Sequence, residues 1–158
     1  MGFAFDPGLP GATLVACEIA LALAFPAVGE ITPIDLAARM AAGAPTLLLD
    51  VRQASEHAVS CIPAAVVTPP DTPAATVLAA HAPAPGTVIV CACSVGLRSA
   101  RQAAMLAAGG WPDVANLRGG IFRWALEGRA LQGGYRVHPF NAAWGFLLPR
   151  ALRHEATP

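Results

Sequence analysis

Short apolar runs closed by a charge, a glycine or a proline recur along this chain, and stretches of helical character lie between them. Thr46-Leu47-Leu48-Leu49-Asp50-Val51 stays apolar until its aspartate, the pattern of a parallel strand buried on both faces. Thr87-Val88-Ile89-Val90-Cys91-Ala92 predicts a second such strand, and its β-branched residues suit a pleated, buried surface. Ala64–Val67, halted by Pro69-Pro70, and Asp113–Leu117 predict two more. Helices fill the intervals. Thr32 can cap one that carries Pro33 in its first position and Asp35 near its positive end, running to Ala42 and stopping at Gly43. Ser55–Ser60 reads as a short helical segment, and Asp71-Thr72-Pro73 opens a helix that reaches His81. Ser99–Ala108 ends at Gly109-Gly110, and Ile121–Leu126 ends at Gly128. Strands alternating with helices predict an α/β fold: one small parallel sheet with helices on both faces.

The ends read differently. Residues 1–28 form an apolar extension punctuated by Gly and Pro, with a helix expected from Thr13 to Phe25 and a stop at Pro26. From Thr13 to Val28 the only charge is Glu18, but the run is shorter than the ~20 apolar residues a membrane span needs. The segment ahead of it has Asp6 and neither Arg nor Lys, so a secretory signal is not expected. Residues 29–132 hold the alternating pattern, and residues 133–158 form a tail with four of the ten aromatics. Asn141 can cap a short helix there that Pro149 closes. Aromatics of that size are costly to leave in water, so the tail is expected to pack on its own domain or, alternatively, to form a dimer interface. Monomer and homodimer both remain open.

Composition narrows the function. With 158 residues, 55% hydrophobic and 13% charged, the chain is expected to fold as one domain. Ten Arg balance ten acidic residues and there is no Lys, so no nucleic-acid partner is expected. Cys17, Cys61, Cys91 and Cys93 form no Cys-x-x-Cys pair, and the four His are scattered. Neither a metal site nor another cofactor is expected. At this length free thiols in a reducing, cytoplasmic setting are the better reading than disulfides.

One segment carries chemistry. In a parallel sheet ligands bind beyond the carboxyl ends of the strands. The strand ending at Ala92 runs into Cys93-Ser94-Val95-Gly96-Leu97-Arg98-Ser99 and then into a helix. So short a loop, with Gly96 free to take an unusual backbone angle, can turn amide N–H groups inward, and the helix adds its positive end. Such a cradle favours a thiolate, the nucleophilic form of cysteine. Cys91, two places earlier in the strand, is expected to point into the core, and Cys17 to be a helix core residue. Cys61 reads either as a core residue or as a redox thiol. Trp111 and Trp124 read as packing residues.

The Cys93-x-x-Gly96-x-Arg98-Ser99 loop resembles the active-site loop of the rhodanese family. Leu48-Leu49-Asp50-Val51-Arg52 resembles that family's Asp-Val-Arg strand end. Glu56-His57 with Ile62-Pro63-Ala64-Ala65, and Asn116-Leu117-Arg118-Gly119-Gly120-Ile121 with Trp124 and Gly128, resemble its remaining motifs in the right order. The resemblance covers about residues 29–132. It implies a sulfurtransferase in which Cys93 takes sulfur from thiosulfate or a similar donor, becomes a persulfide, and yields the sulfur to cyanide or an acceptor thiol. It implies that the amides of Ser94, Val95, Gly96, Leu97 and Ser99 hold the persulfide, with a hydrogen bond from Ser99 to the sulfur. Arg98 would grip the anionic part of the donor. Asp50, Arg52 and Glu56 would brace the loop, with Arg52–Glu56 expected as an ion pair. Cys61 stands where the family often has histidine, so no histidine role carries over. Two other readings stay open. One is a persulfide carrier that delivers sulfur to a partner protein. The other is a cysteine phosphatase or arsenate reductase, whose loop resembles this one but holds one more residue between Cys and Arg.

Overall fold

The computed structural model describes residues 9–155. Five strands form one parallel sheet in the order β1-β5-β4-β2-β3: β1 (Gly29–Ile31), β2 (Thr46–Asp50), β3 (Val66–Val67), β4 (Val88–Ala92) and β5 (Val114–Leu117). The helices are α1 (Leu9–Ala24), α2 (Pro33–Ala41), α3 (Ala54–Val59), α4 (Ala74–His81), α5 (Leu97–Ala108), α6 (Gly120–Leu126) and α7 (Ala142–Gly145). A turn of 3₁₀ helix, Arg150–Leu152, follows.

The two apolar strands sit side by side, Leu48 beside Val90 and Leu49 beside Cys91. Alternation along them then divides the core. Leu48, Val90 and Ala92 face one layer, with Leu36 of α2 and Phe122 and Trp124 of α6. Leu49, Ile89 and Cys91 face the other, with Val77 of α4 and Ala103 and Leu106 of α5. The expected helices on both faces are therefore present.

Differences from the expected boundaries have local causes. β1 carries no apolar run of its own, and its three residues are strand because they pair with β5, where the Arg118 amide donates to the Ile31 carbonyl at 2.9 Å. Ala64 adopts φ +64°, which is incompatible with a strand, so β3 is shorter than the expected Ala64–Val67. α1 extends further toward the N-terminus than Thr13, and α5 begins at Leu97 rather than Ser99.

Both extensions pack onto the sheet domain. Leu14 of α1 and Val137, Leu147 and Leu148 of the tail are fully buried in the same layer as α2 and α6. Asn141 caps α7 by accepting a hydrogen bond from the Trp144 amide at 3.0 Å. α7 ends at Gly145, ahead of Pro149, because the chain must turn to bury Leu147 and Leu148. The tail closes on itself where the Val137 amide donates to Leu152 and the His154 amide donates to Val137. It is tied to the segment after α3 by the paired backbones of Cys61 and Gln132 and by the Ser60 hydroxyl, which donates to the Arg136 carbonyl at 2.7 Å. Among the described residues no helix is long and apolar enough to cross a membrane.

Candidate active site

β4 ends at Ala92, and the chain must turn at once to begin α5 at Leu97. Gly96 makes the turn, with φ +118°. Its amide N–H points back at Cys93 and donates to Sγ at 3.2 Å, while the Ser99 hydroxyl donates to the same sulfur at 3.3 Å. Two donors and the N-terminal end of α5 converge on one sulfur. The Cys93 side chain is almost fully enclosed, at 1% exposure. It borders a narrow cleft lined by Asp50, Arg52, Ile62, Ala65, Ala92 and Ile121.

The loop is held from behind by α6. The Ile121 amide donates to the Cys93 carbonyl at 2.9 Å and the Phe122 amide to the Ser94 carbonyl at 3.1 Å. Gly119 and Gly120 both have positive φ, and a Cβ on Gly120 would collide with the Cys93 and Ser94 carbonyls. The last of the resembling motifs is thus a clamp on the first.

Arg98 and Glu56 form the loop's outer brace. Arg98 Nη1 donates to Glu56 Oε2 at 2.7 Å and Nη2 to Oε1 at 2.9 Å. Ser94 Oγ sits in the same network, accepting from Arg98 at 2.9 Å and donating to Glu56 at 3.3 Å. The Gln53 amide adds a fourth donor to the carboxylate at 2.9 Å. Burial pushes the Glu56 carboxyl up, but the bonds from Arg98 and Gln53 outweigh it and hold the group below its ordinary value. Burial likewise works against the Arg98 charge, and the bond to Glu56 together with the attraction of Cys93 and Glu56 more than compensates.

A second pair lies deeper. Arg52 Nε and Nη2 donate to Asp50 at 2.9 and 2.6 Å, and His57 Nδ1 contacts Asp50 Oδ2 at 2.9 Å. Burial raises the Asp50 carboxyl, and the Arg52 and His57 bonds carry it below its ordinary value. The expected Arg52–Glu56 ion pair is not formed. Arg52 lies back along β2 onto Asp50, reaches the Ser60 carbonyl at 2.8 Å, and meets Glu56 only at its backbone carbonyl, at 3.4 Å. The Glu56 carboxylate turns the other way, to Arg98.

Val95 is buried in the layer with α6, which fixes the middle of the loop, whereas Leu97 is exposed. The other thiols play no such part. Cys91 is wholly buried, and burial, then Cys93, push its thiol far above the ordinary range. Burial and Asp50 push the Cys61 thiol up, against Arg52, and its backbone anchors the tail at Gln132. Burial, then Glu18, raise the Cys17 thiol. Among the described residues no group of three or more His, Cys, Asp or Glu could hold a metal ion.

The extensions contribute residues that the motifs do not name. The Phe140 ring covers the Arg98 guanidinium at 4.5 Å. His138 lies nearby, and burial holds its imidazole below its ordinary value despite the pull of Glu56. On the other side Glu18 of α1 is buried and pairs with Arg123 of α6 at 2.7 Å, and Leu21 packs against Gly96. Glu18 was the one visible signal, a lone charge in an apolar run. Phe140 and Leu21 offered none, since each is an apolar residue among others.

Comparison with known proteins accords with this geometry. The family model described as a rhodanese-like domain matches residues 32–127. A thiosulfate sulfurtransferase from Pseudomonas aeruginosa superposes with a TM-score of 0.66 at 25% identity over 77% of this chain, which spans only 23% of that protein's length. A rhodanese-like domain protein from Staphylococcus aureus superposes with a TM-score of 0.51 at 28% identity, covering 61% of this chain and 91% of that one. A Rhodopseudomonas palustris protein of unknown function, described as a possible tyrosine phosphatase, shares the fold with a TM-score of 0.58 at 24% identity, over 71% of this chain and 90% of that one. Among curated proteins no match was found. With more than half its length matched and the loop, strand end and glycine clamp assembled around one cysteine, the chain belongs to the rhodanese-like domain family.

Proposed function

We propose that this chain is a sulfurtransferase that accepts sulfane sulfur on Cys93 and passes it on from a Cys93 persulfide. The observation that carries the reading is the pair of donors on Cys93 Sγ, from the Gly96 amide and the Ser99 hydroxyl, at the head of α5. In the first step the Cys93 thiolate attacks the outer sulfur of the donor and expels the remainder. In the second a thiophilic acceptor, cyanide or a thiolate, attacks that outer sulfur and restores the thiolate. This is covalent catalysis in two displacements. The same donors that suit the thiolate suit a persulfide anion, and Glu56 and Arg98 keep the loop in shape around it.

A phosphatase reading is disfavoured. Arg98 spends both terminal nitrogens on Glu56, the groups a phosphate ester would require. The loop also has four residues between Cys93 and Arg98, one fewer than such enzymes carry. The test is intact mass spectrometry after exposure to a sulfane-sulfur donor. Wild type gains one sulfur, cyanide or a thiol removes it, and Cys93→Ser gains none. Undiminished transfer by Cys93→Ser would overturn the proposal.

A further inference from the structure

Residues 138–140 of the tail are strained and lie between two fixed points. Val137 is fully buried, its amide bonded to Leu152 and its carbonyl to the His154 amide. Asn141 is fixed as the cap of α7. Between them Phe140 takes φ +66°, a backbone region that bulky side chains rarely enter. Across it the Asn141 amide donates to the Pro139 carbonyl at 2.8 Å, closing a γ-turn of the rare, strained hand. Such a conformation persists only where neighbouring contacts hold it. Two contacts hold Phe140. Its amide donates to His138 Nδ1 at 3.0 Å, and its ring lies 4.5 Å from the Arg98 guanidinium.

The ring's position matters because of what lies beneath it. Arg98 is close enough to Cys93 for their charges to attract. Cys93 is 1% exposed, whereas Phe140 is 41% exposed and belongs to neither core layer. The ring can therefore swing outward without opening the core, and the enclosed thiol lies on the side it would leave.

The bond to His138 depends on one lone pair. Nδ1 accepts only while it carries no proton, so the neutral imidazole keeps its proton on Nε2. Charging the ring puts a proton on Nδ1 and turns the acceptor into a donor. Burial holds His138 below its ordinary value of 6.5. Of the charged groups that face it, Glu56 of α3 draws the proton on, while His154 after the 3₁₀ turn, Arg52 after β2 and Arg98 of α5 oppose it. A group whose pKa is depressed in the closed state binds its proton more readily in the open one, so the open state gains as pH falls through the ordinary value and below.

We propose that Phe140 is a gate that sets which molecules reach Cys93, and that His138 is the positioning residue that latches it, closed while Nδ1 is bare and released when Nδ1 is protonated. The gate selects small donors and acceptors over bulky ones near neutral pH, a consequence that rests on the sulfurtransferase reading above.

The experiment compares alkylation of Cys93 in the full chain by iodoacetamide and by the bulkier N-phenylmaleimide, read by peptide mass mapping from about pH 5.5 to about pH 7.5, the range in which a histidine titrates. Both reagents attack the thiolate, so the bulky-to-small rate ratio cancels the thiolate fraction. A gate open about a tenth of the time lowers that ratio about tenfold. The wild-type ratio is expected to lie at least about tenfold below that of Phe140→Ala at the upper end of the range and to approach it at the lower end. His138→Asn supplies a side-chain carbonyl that can take the amide two residues on, and is expected to stay closed throughout. His138→Ala is expected to be open throughout. A wild-type ratio that does not change with pH, or a His138→Asn profile that follows wild type, overturns the proposal and leaves the sulfurtransferase reading intact. A gated Cys93 that takes up no sulfur from any donor overturns that reading and leaves the gate standing. The wild-type pH series decides the matter even if a variant folds poorly.

Discussion

Replacing Glu56 with alanine should be among the most damaging single changes to this domain, although Glu56 does not touch Cys93. Its carboxylate accepts four hydrogen bonds: two from Arg98 at 2.7 and 2.9 Å, one from the Gln53 amide at 2.9 Å, and one from Ser94 Oγ at 3.3 Å. Deleting it strands the Arg98 guanidinium beneath Phe140 and leaves Ser94 with half a network. Removing one partner of a buried ion pair costs about 3–5 kcal/mol, chiefly because the other charge stays desolvated. Arg98 keeps 19% side-chain exposure, so water recovers part of that loss and the lower end, about 3 kcal/mol, applies. At roughly 2–4 °C per kcal/mol for a domain of this size, the melting temperature should fall by about 6–12 °C.

The assay is urea unfolding at pH 7 with a parallel thermal melt. Glu56→Gln, which keeps the volume and an acceptor oxygen, should cost about 1–2 kcal/mol. If the pair is the cause, Arg98→Leu in the Glu56→Ala background should cost little more, giving a coupling of about 1–3 kcal/mol. An alanine variant within about 1 kcal/mol of wild type, or strictly additive single and double variants, would refute the argument.

Three further outcomes are expected. Gly120→Ala places a methyl against the Cys93 and Ser94 carbonyls at a residue with φ +56°, so it should lower stability by about 2–4 kcal/mol and slow Cys93 loading; a fully stable, active variant refutes the clamp. Leu147→Ala empties a fully buried site in the tail and should cost about 2–5 kcal/mol by urea titration, with no change in mass by light scattering; a neutral effect means that the tail is not part of the core. Asp50 and Glu56 lie below their ordinary values of 3.8 and 4.5, so the unfolded chain binds their protons first as pH falls. Their stabilisation is complete above those ordinary values and is lost below them, as pH falls through the folded-state values. Unfolding free energy should therefore drop steeply below about pH 4.5, and a flat profile between pH 5 and pH 3 would contradict the pairing.

The fold was legible where the sequence carries its own period. β2 and β4 are uninterrupted apolar runs, and no partner is needed to recognise them. β1 was invisible because Gly29-Glu30-Ile31 becomes a strand only through β5, a partner far along the chain. The geometry of the cysteine loop was legible because its requirements are local: a cysteine at a strand end, a glycine able to take φ +118°, and a helix start. The ion pairs were legible as residues but not as partners. A separation of four residues made Arg52 the natural mate for Glu56, yet Arg98 lies 42 positions away and is the observed one. Pairing across that separation is set by where β2 and β4 end beside each other, which is tertiary information.

The extensions change what the site is. The residues 32–127 matched by the family model contain Cys93, its two hydrogen-bond donors and both ion pairs. They do not contain the wall. α1 turns Glu18, its only charge, inward to Arg123 of α6, the helix whose first amides hold the Cys93 and Ser94 carbonyls. The tail lays Phe140 over Arg98, whose partner Glu56 sits in α3. Each extension therefore grips an element that itself grips the loop. Burying Glu18 with its charge would be costly if it served packing alone, because apolar residues fill such positions at no desolvation penalty. Its carboxylate lies beside Gly119, where a Cβ would collide with it, at the turn that leads into α6. By excluding water from the loop, the same contacts strengthen every electrostatic interaction inside it. The brace and the clamp around Cys93 thus depend on segments that lie outside the matched motifs.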